Sequence, residues 1–154
     1  MSLREWTVSW WSTKAVARKL QRIAHSFSMP AVACENGSWV VACSDRNTYR
    51  VILTIWANGT TMYLIAGSEL VVDRDLLPRE LAIVLLEENH GFAAGSFRLI
   101  PRGERRYVAL GSIVDARTMP DSDVQAIGWA LITKMQQTIT KLYARELIIA
   151  GPHS

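Results

Sequence analysis

The chain has 154 residues, 49% hydrophobic and 20% charged, with a net charge of +3. That size suits one hydrophobic core, and the apolar content is too high and the net charge too low for a disordered chain. The longest uninterrupted apolar run, Leu81 to Leu86, is far short of the ~20 residues a bilayer crossing needs, and no secretory leader pattern is present.

A single cytoplasmic domain over 1–154 is therefore expected, framed by a Trp-rich segment at 1–11 and a tail at 147–154. Ser12 or Thr13 is placed to cap a first helix, in which Val16, Leu20, Ile23, Ala24 and Phe27 form one apolar stripe. Lys14, Arg18, Lys19, Arg22 and His25 lie off that stripe, with no acidic residue between Ser12 and Met29, so the outer face reads as basic. Met29-Pro30 ends the helix, because the residue before a proline is pushed toward extended geometry.

Asn36-Gly37 supplies a turn, and Trp39 to Ser44 reads as a mainly apolar strand. After the polar break Asp45-Arg46-Asn47, residues Tyr49, Val51, Leu53 and Ile55 alternate with Arg50, Ile52, Thr54 and Trp56. Asn58-Gly59 signals a type I′ hairpin leading into a partner strand, Thr60 to Ile65, which completes a three-stranded meander. Gly67 to Asp75 reads as a connection whose middle, Leu70-Val71-Val72, is either a short strand or a packed loop.

Leu77-Pro78 opens a second helix with Glu80 in its first turn, and Asn89, His90 and Gly91 end it, the glycine supplying a left-handed cap. Phe97 and Leu99 share one face of the next strand, Pro101-Arg102-Gly103-Glu104 is turn chemistry, and Tyr107, Ala109, Gly111 and Ile113 alternate with Val108, Leu110 and Val114 on the return. Apolar residues on both faces of this hairpin predict a covered centre. Asp121 reads as the cap of a last helix to Glu146, with Val124, Ile127, Leu131, Met135, Thr138 or Ile139, and Leu142 on one stripe. At ~1.5 Å per residue that helix would span roughly 39 Å, more than a small domain requires. Trp129, Ile132 and Tyr143 widen its apolar stripe, so it is expected to contact a second subunit, unless Trp6, Trp10 and Trp11 fold back over it.

Reactive chemistry finds no support in the spacing. Cys34 and Cys43, nine positions apart, form neither a CxxC pair nor a zinc pattern, and Cys43 sits in an apolar run as a small hydrophobe. The only histidines are His25 on a basic helix face, His90 at a helix end and His153 in the tail, none of them placed as the base of a triad. Glu87 and Glu88 are neighbours on a helix and do not face each other, so they read as solvated helix-end charges rather than an acid/base pair. Gly91-Phe-Ala-Ala-Gly95 lacks the lysine of a phosphate loop and precedes a strand. No catalytic, metal or cofactor residues are assigned, and no cofactor is expected.

Leu85-Leu86-x-x-Asn89, Gly95-x-Phe97-x-Leu99, Val108-x-Leu110 and the long last helix together resemble the type III secretion chaperone-like fold and the YbjN-type proteins described as sensory transduction regulators. The element order covers nearly the whole chain and the residue match covers about Pro78 to Glu146. The resemblance implies an α+β domain, α-βββ-α-ββ-α, with a curved five-stranded antiparallel sheet, helices mainly on one side, a homodimer and no catalytic centre. Secretion chaperones are typically acidic, whereas this chain is basic, and the Trp-rich start is no part of their pattern.

The leading expectation is a non-enzymatic adaptor that holds a protein segment on apolar surface, with Trp6, Trp10, Trp11, Trp129, Ile132 and Tyr143 as its partner or dimer surface. The alternative from another class is nucleic-acid binding through Lys14, Arg18, Lys19 and Arg22 on the first helix and Arg98, Arg102, Arg105 and Arg106 on the second hairpin.

Overall fold

A computed structural model of the chain describes residues 3–43, 51–73, 79–102 and 105–145, and the side chains of 13–43, 51–68, 79–100 and 107–145. The elements run α1 (Leu3–Ser26), β1 (Ala31–Ala33), β2 (Trp39–Cys43), β3 (Val51–Asn58), β4 (Thr61–Asp73), α2 (Arg79–His90), β5 (Ser96–Arg102), β6 (Arg105–Asp115) and α3 (Asp121–Ala144). The strands form one antiparallel sheet in the order β1-β2-β3-β4-β6-β5.

Among the described residues the sheet has six strands, not five. The extra strand is β1, which follows Pro30 and pairs Ala31 with Val41 and Ala33 with Trp39. Its turn is closed by the Gly37 and Cys34 N–H groups, which donate to the Cys34 and Ser38 carbonyls at 3.0 and 2.8 Å. Asn36 Oδ1 accepts the Ser38 N–H at 3.1 Å, and Gly37 takes φ +85°, so the Asn-Gly pair builds a hairpin where only a turn is legible. A strand of three residues carries too little periodicity to be read in advance.

Leu70-Val71-Val72 resolves as strand: β4 runs on to Asp73, pairing Val71 with Tyr107 after a register shift between Gly67 and Val71. The Asn58-Gly59 hairpin forms one position later than expected. Asn58 pairs with Thr61, so Gly59 and Thr60 are the central residues; Gly59 has φ +61° and Thr60 does not have positive φ, so the signs are those of a type II′ turn.

Helix starts also move. α1 begins at Leu3, so Ser12 and Thr13 are interior rather than caps, and positions 6 and 10 stand one turn apart on it. Pro120 occupies the N-cap of α3 with no side-chain bond, and Asp121 is freed for ion pairing. Gly91 does not take positive φ, and the Phe92 N–H donates to the Asn89 carbonyl at 3.3 Å just beyond α2. Leu77-Pro78 and Glu146 lie outside the described residues.

One core joins the helices to one sheet face. The α1 stripe Val16, Leu20, Ile23, Ala24 and Phe27 is buried as expected, against Val41, Leu53, Ile55, Met62, Leu64 and Leu110 of the sheet and Leu131, Met135 and Leu142 of α3. Ile132 is buried in the same core, at 2% exposure, and offers no partner surface on this chain. Its register on α3 lies beside Leu131 and Met135, inside the helix face that the sheet covers.

The helices are tied to each other by charge. Lys19 donates to the Ala116 carbonyl at 2.9 Å and to the Met119 carbonyl, with Asp121 at 3.4 Å, while Arg22 Nε meets Asp121 at 2.8 Å. Glu88, read from sequence as solvated, is clasped by Lys134 and Lys141 and is 13% exposed, linking α2 to α3. The correction follows from position, since the end of α2 lies alongside two lysines seven residues apart on one face of α3.

Thr138 Oγ1 is buried without a hydrogen-bond partner among the described residues. Thr138→Val exchanges that hydroxyl for a methyl of the same shape and should raise stability by about 1 kcal/mol in urea unfolding. A loss of stability would show that the hydroxyl is satisfied in solution.

Candidate functional site

The face of the sheet opposite the helices is the candidate site. Strand alternation sends Ile52, Thr54 and Trp56 of β3 outward, while Val51, Leu53 and Ile55 point into the core. The same rule brings out Tyr63, Ile65 and Gly67 of β4, Tyr107, Ala109, Gly111 and Ile113 of β6, and Ser96, Arg98 and Ile100 of β5. Among the described residues, no helix side chain packs over this face; its residues are absent from the core cluster that α1, α2 and α3 share. Ile113 is 56% exposed on it.

Two small residues floor a hollow in this apolar surface. Gly67 pairs with Ala109, so β4 and β6 carry almost no side-chain height there, whereas the space over Gly111, paired with Ile65, is taken by Arg98. The result is an open depression of about 290 Å³ walled by Ile52, Thr54, Ile65, Ile100 and Tyr107. A Cβ built at Gly67 meets nothing within 4 Å, which shows how empty its floor is. Beyond one end, Trp56 stacks on its cross-strand partner Tyr63 at 5.1 Å and 10°.

Arg98 reaches across this face from β5. Its Cζ and the Ile65 Cγ1 lie 3.2 and 3.3 Å from where a Gly111 Cβ would stand, so the guanidinium rests on the bare Gly111 backbone beside a wall of the hollow. Asp115, also on this face, is engaged by Arg117 at 3.5 Å. No carboxylate among the described residues pairs with Arg98.

The residues singled out from sequence whose side chains are described do not gather at one place. Trp129 and Tyr143 are 41% and 47% exposed on α3, and Trp129 packs on the Phe27 ring at 5.6 Å. Ile132 is in the core. The side chains of Trp6, Trp10 and Trp11, and those of Arg102, Arg105 and Arg106, lie outside the described ones. Lys14 and Arg18 are exposed on α1, whereas Lys19 and Arg22 serve the contact to Asp121. α1 covers the core face and Arg98 crosses the opposite one, so the basic helix and Arg98 do not form one surface. The outer-face hollow was missed as a site, although its signal was present in Gly67, Ala109 and Gly111 at outward positions among apolar neighbours.

No group of three or more His, Cys, Asp or Glu among the described residues is arranged to hold a metal ion, and no helix among them is long and apolar enough to cross a membrane. Cys43 is buried, and burial pushes its thiol up to about 11, the opposite of an activated nucleophile.

Carboxylates are shifted the other way. Hydrogen bonds from Lys134, then Lys141, hold Glu88 below the ordinary range; Arg22 does the same for Asp121, and the Arg117 backbone N–H followed by its guanidinium for Asp115. The unfolded chain therefore binds these protons more tightly. The stability these groups contribute is complete above an unfolded carboxylate value of ~4 and is lost as pH falls through their lower folded values. Urea midpoints should change little from pH ~7 to ~5 and drop below ~4, less steeply in Glu88→Gln. A midpoint that rises on acidification would contradict this.

The layout is that of a secretion chaperone-like, YbjN-like α+β fold. Among solved structures the chain is similar to YbjN from E. coli at 12% identity and TM-score 0.63, over 86% of this chain and 95% of that one. It is also similar to a chain of the ExsC–ExsE complex, at 19% identity and TM-score 0.58 over 90% and 98%, and to a chain of the HopA1–SchA chaperone–effector complex, at 14% and 0.50 over 78% and 88%. At such identities the likeness is one of fold. No family model matches the sequence, and no curated protein matches it by sequence.

Proposed function

We propose that the chain is a non-enzymatic, chaperone-like adaptor of the cytoplasm that captures an apolar segment of a partner protein. The observation that carries this reading is the outer sheet face, an apolar surface with a hollow of about 290 Å³ that the chain's own helices leave uncovered. A contiguous apolar surface that opens to solvent, as here around half-buried Ile52, Ile65 and Ile100, marks interaction sites. Support comes from neighbours in fold, one of them from a chaperone–effector complex.

The same reading makes the protein a homodimer, with Trp129 and Tyr143 of α3 as the exposed apolar contacts toward a second copy. Affinity capture from the native cell followed by mass spectrometry tests the adaptor: one stoichiometric protein partner is expected, whereas co-purifying nucleic acid would favour the basic helix and hairpin instead. Light scattering on the size-separated protein tests the dimer, and a strict monomer at micromolar concentration would refute it.

A further inference from the structure

The hollow and Arg98 together specify the chemistry of what they bind. We infer that the outer sheet face takes a peptide segment that seats apolar side chains over Gly67 and Ala109 and places an Asp or Glu carboxylate on the Arg98 guanidinium. This rests on the adaptor reading and narrows it to a class of partner sequence.

The argument begins with the walls. Ile52, Thr54, Ile65 and Ile100 present methyl and methylene surface around a floor of Gly67 and Ala109, a shape that accepts an aliphatic or aromatic side chain. At its margin stands a permanent cation. Arg98 is exposed, lies over Gly111 next to Ile65, and has no carboxylate partner among the described residues. An occupant that covered this face with apolar groups alone would strip water from the guanidinium and leave it unpaired, a cost that rises with burial. A carboxylate removes that cost and gains from the planar fork, which matches its two oxygens.

Charge complementarity also disfavours a second copy of this chain as the occupant. The carboxylate described on the same face, Asp115, is already engaged by Arg117, so face-to-face pairing would bury Arg98 against apolar surface with no free acid among the described residues of this face to meet it. A single guanidinium on apolar ground is likewise poor at following a phosphate backbone, which demands several cations along its length.

The test is selection of random linear displayed peptides on the full-length protein, followed by synthesis of the enriched sequences. Enrichment of one Asp or Glu flanked by apolar residues is expected. Affinity for the synthetic peptide should fall about tenfold or more on replacing its acid by the amide or on Arg98→Gln, and Arg98→Glu should instead select peptides with Lys or Arg at that position. Gly67→Val fills the hollow where a Cβ meets nothing within 4 Å, so it should abolish binding with the melting temperature unchanged or raised.

Enriched peptides without an acid, no enrichment at all, or affinity indifferent to both Arg98→Gln and Gly67→Val would overturn the inference. A dimer that Gly67→Val dissociates would overturn it in favour of a second copy on this face. A native partner still captured by both variants would leave the adaptor standing while removing this site from it, so the two readings fail separately.

Discussion

Gly95→Ala is expected to destabilise the protein by about 3 kcal/mol, near the upper end of what overpacking by one methyl costs. The added Cβ would stand 2.5 Å from the Gly111 carbonyl oxygen and 2.8 Å from Leu131 Cδ2. Neither neighbour can give way cheaply. Gly111 is held in the ladder opposite Ser96 and Ile65, and Leu131 is fully buried against the sheet. The start of β5 must therefore move away from α3. At about 2–4 °C per kcal/mol for a chain of this size, the melting temperature should fall by roughly 6–12 °C. Gly91→Ala is the control, since a Cβ there meets nothing within 4 Å and its φ is not positive. Equal losses for the two variants would mean that the close approach to Gly111 is not what the glycine serves.

Asn89→Ala should cost about 1–3 kcal/mol and open one edge of the sheet. The Phe97 N–H donates to Asn89 Oδ1 at 2.5 Å, and Asn89 Nδ2 donates to the Phe97 carbonyl at 3.5 Å, so one side chain satisfies both polar groups of a buried strand residue. It occupies the place a further strand would take beside β5, and Pro101 two residues beyond Leu99 has no N–H to offer. Alanine leaves the Phe97 N–H unpaired. The variant should unfold at lower urea and, by light scattering, show concentration-dependent association beyond the wild-type mass. Asn89→Asp retains the acceptor and should recover most of the stability. If Asn89→Ala is as stable as wild type, the bond to the Phe97 N–H contributes nothing net.

Asn89 shows how far the resemblance carried. The Leu-Leu-x-x-Asn and Gly-x-Phe pattern pointed to a helix feeding a hairpin, and in the fold the asparagine and glycine are what join the two: Asn89 caps Phe97, and Gly95 lets the chain pass Gly111 and Leu131. Elements with strong period were legible, as with Val16, Leu20, Ile23 and Phe27 on α1 or Val51, Leu53 and Ile55 on β3. Boundaries that depend on partners were not. The strand character of Leu70-Val71-Val72 exists because β6 runs alongside it, and β1 because β2 does.

Charges were misjudged for the same reason. Lys19 and Arg22 read as an unpaired basic face, and Glu88 as solvated, because their partners lie 102, 99 and 46 positions or more away in sequence: Asp121 for Lys19 and Arg22, and Lys134 and Lys141 for Glu88. Ile132 read as surplus apolar surface because one helix cannot say how wide a face its neighbours will cover.

By itself the sequence determined the class of fold, through hydrophobic period, turn residues and the order of elements, all of which act over a few residues. Tertiary structure decided which apolar face stays uncovered. Val51 and Ile52 are equally apolar neighbours on β3, and only the packing of α1 and α3 against one side makes the first core and the second a wall of the hollow. The meeting of Gly67, Ala109, Gly111 and Arg98 likewise required β4, β6 and β5 to lie in register, since those residues come from three separate strands.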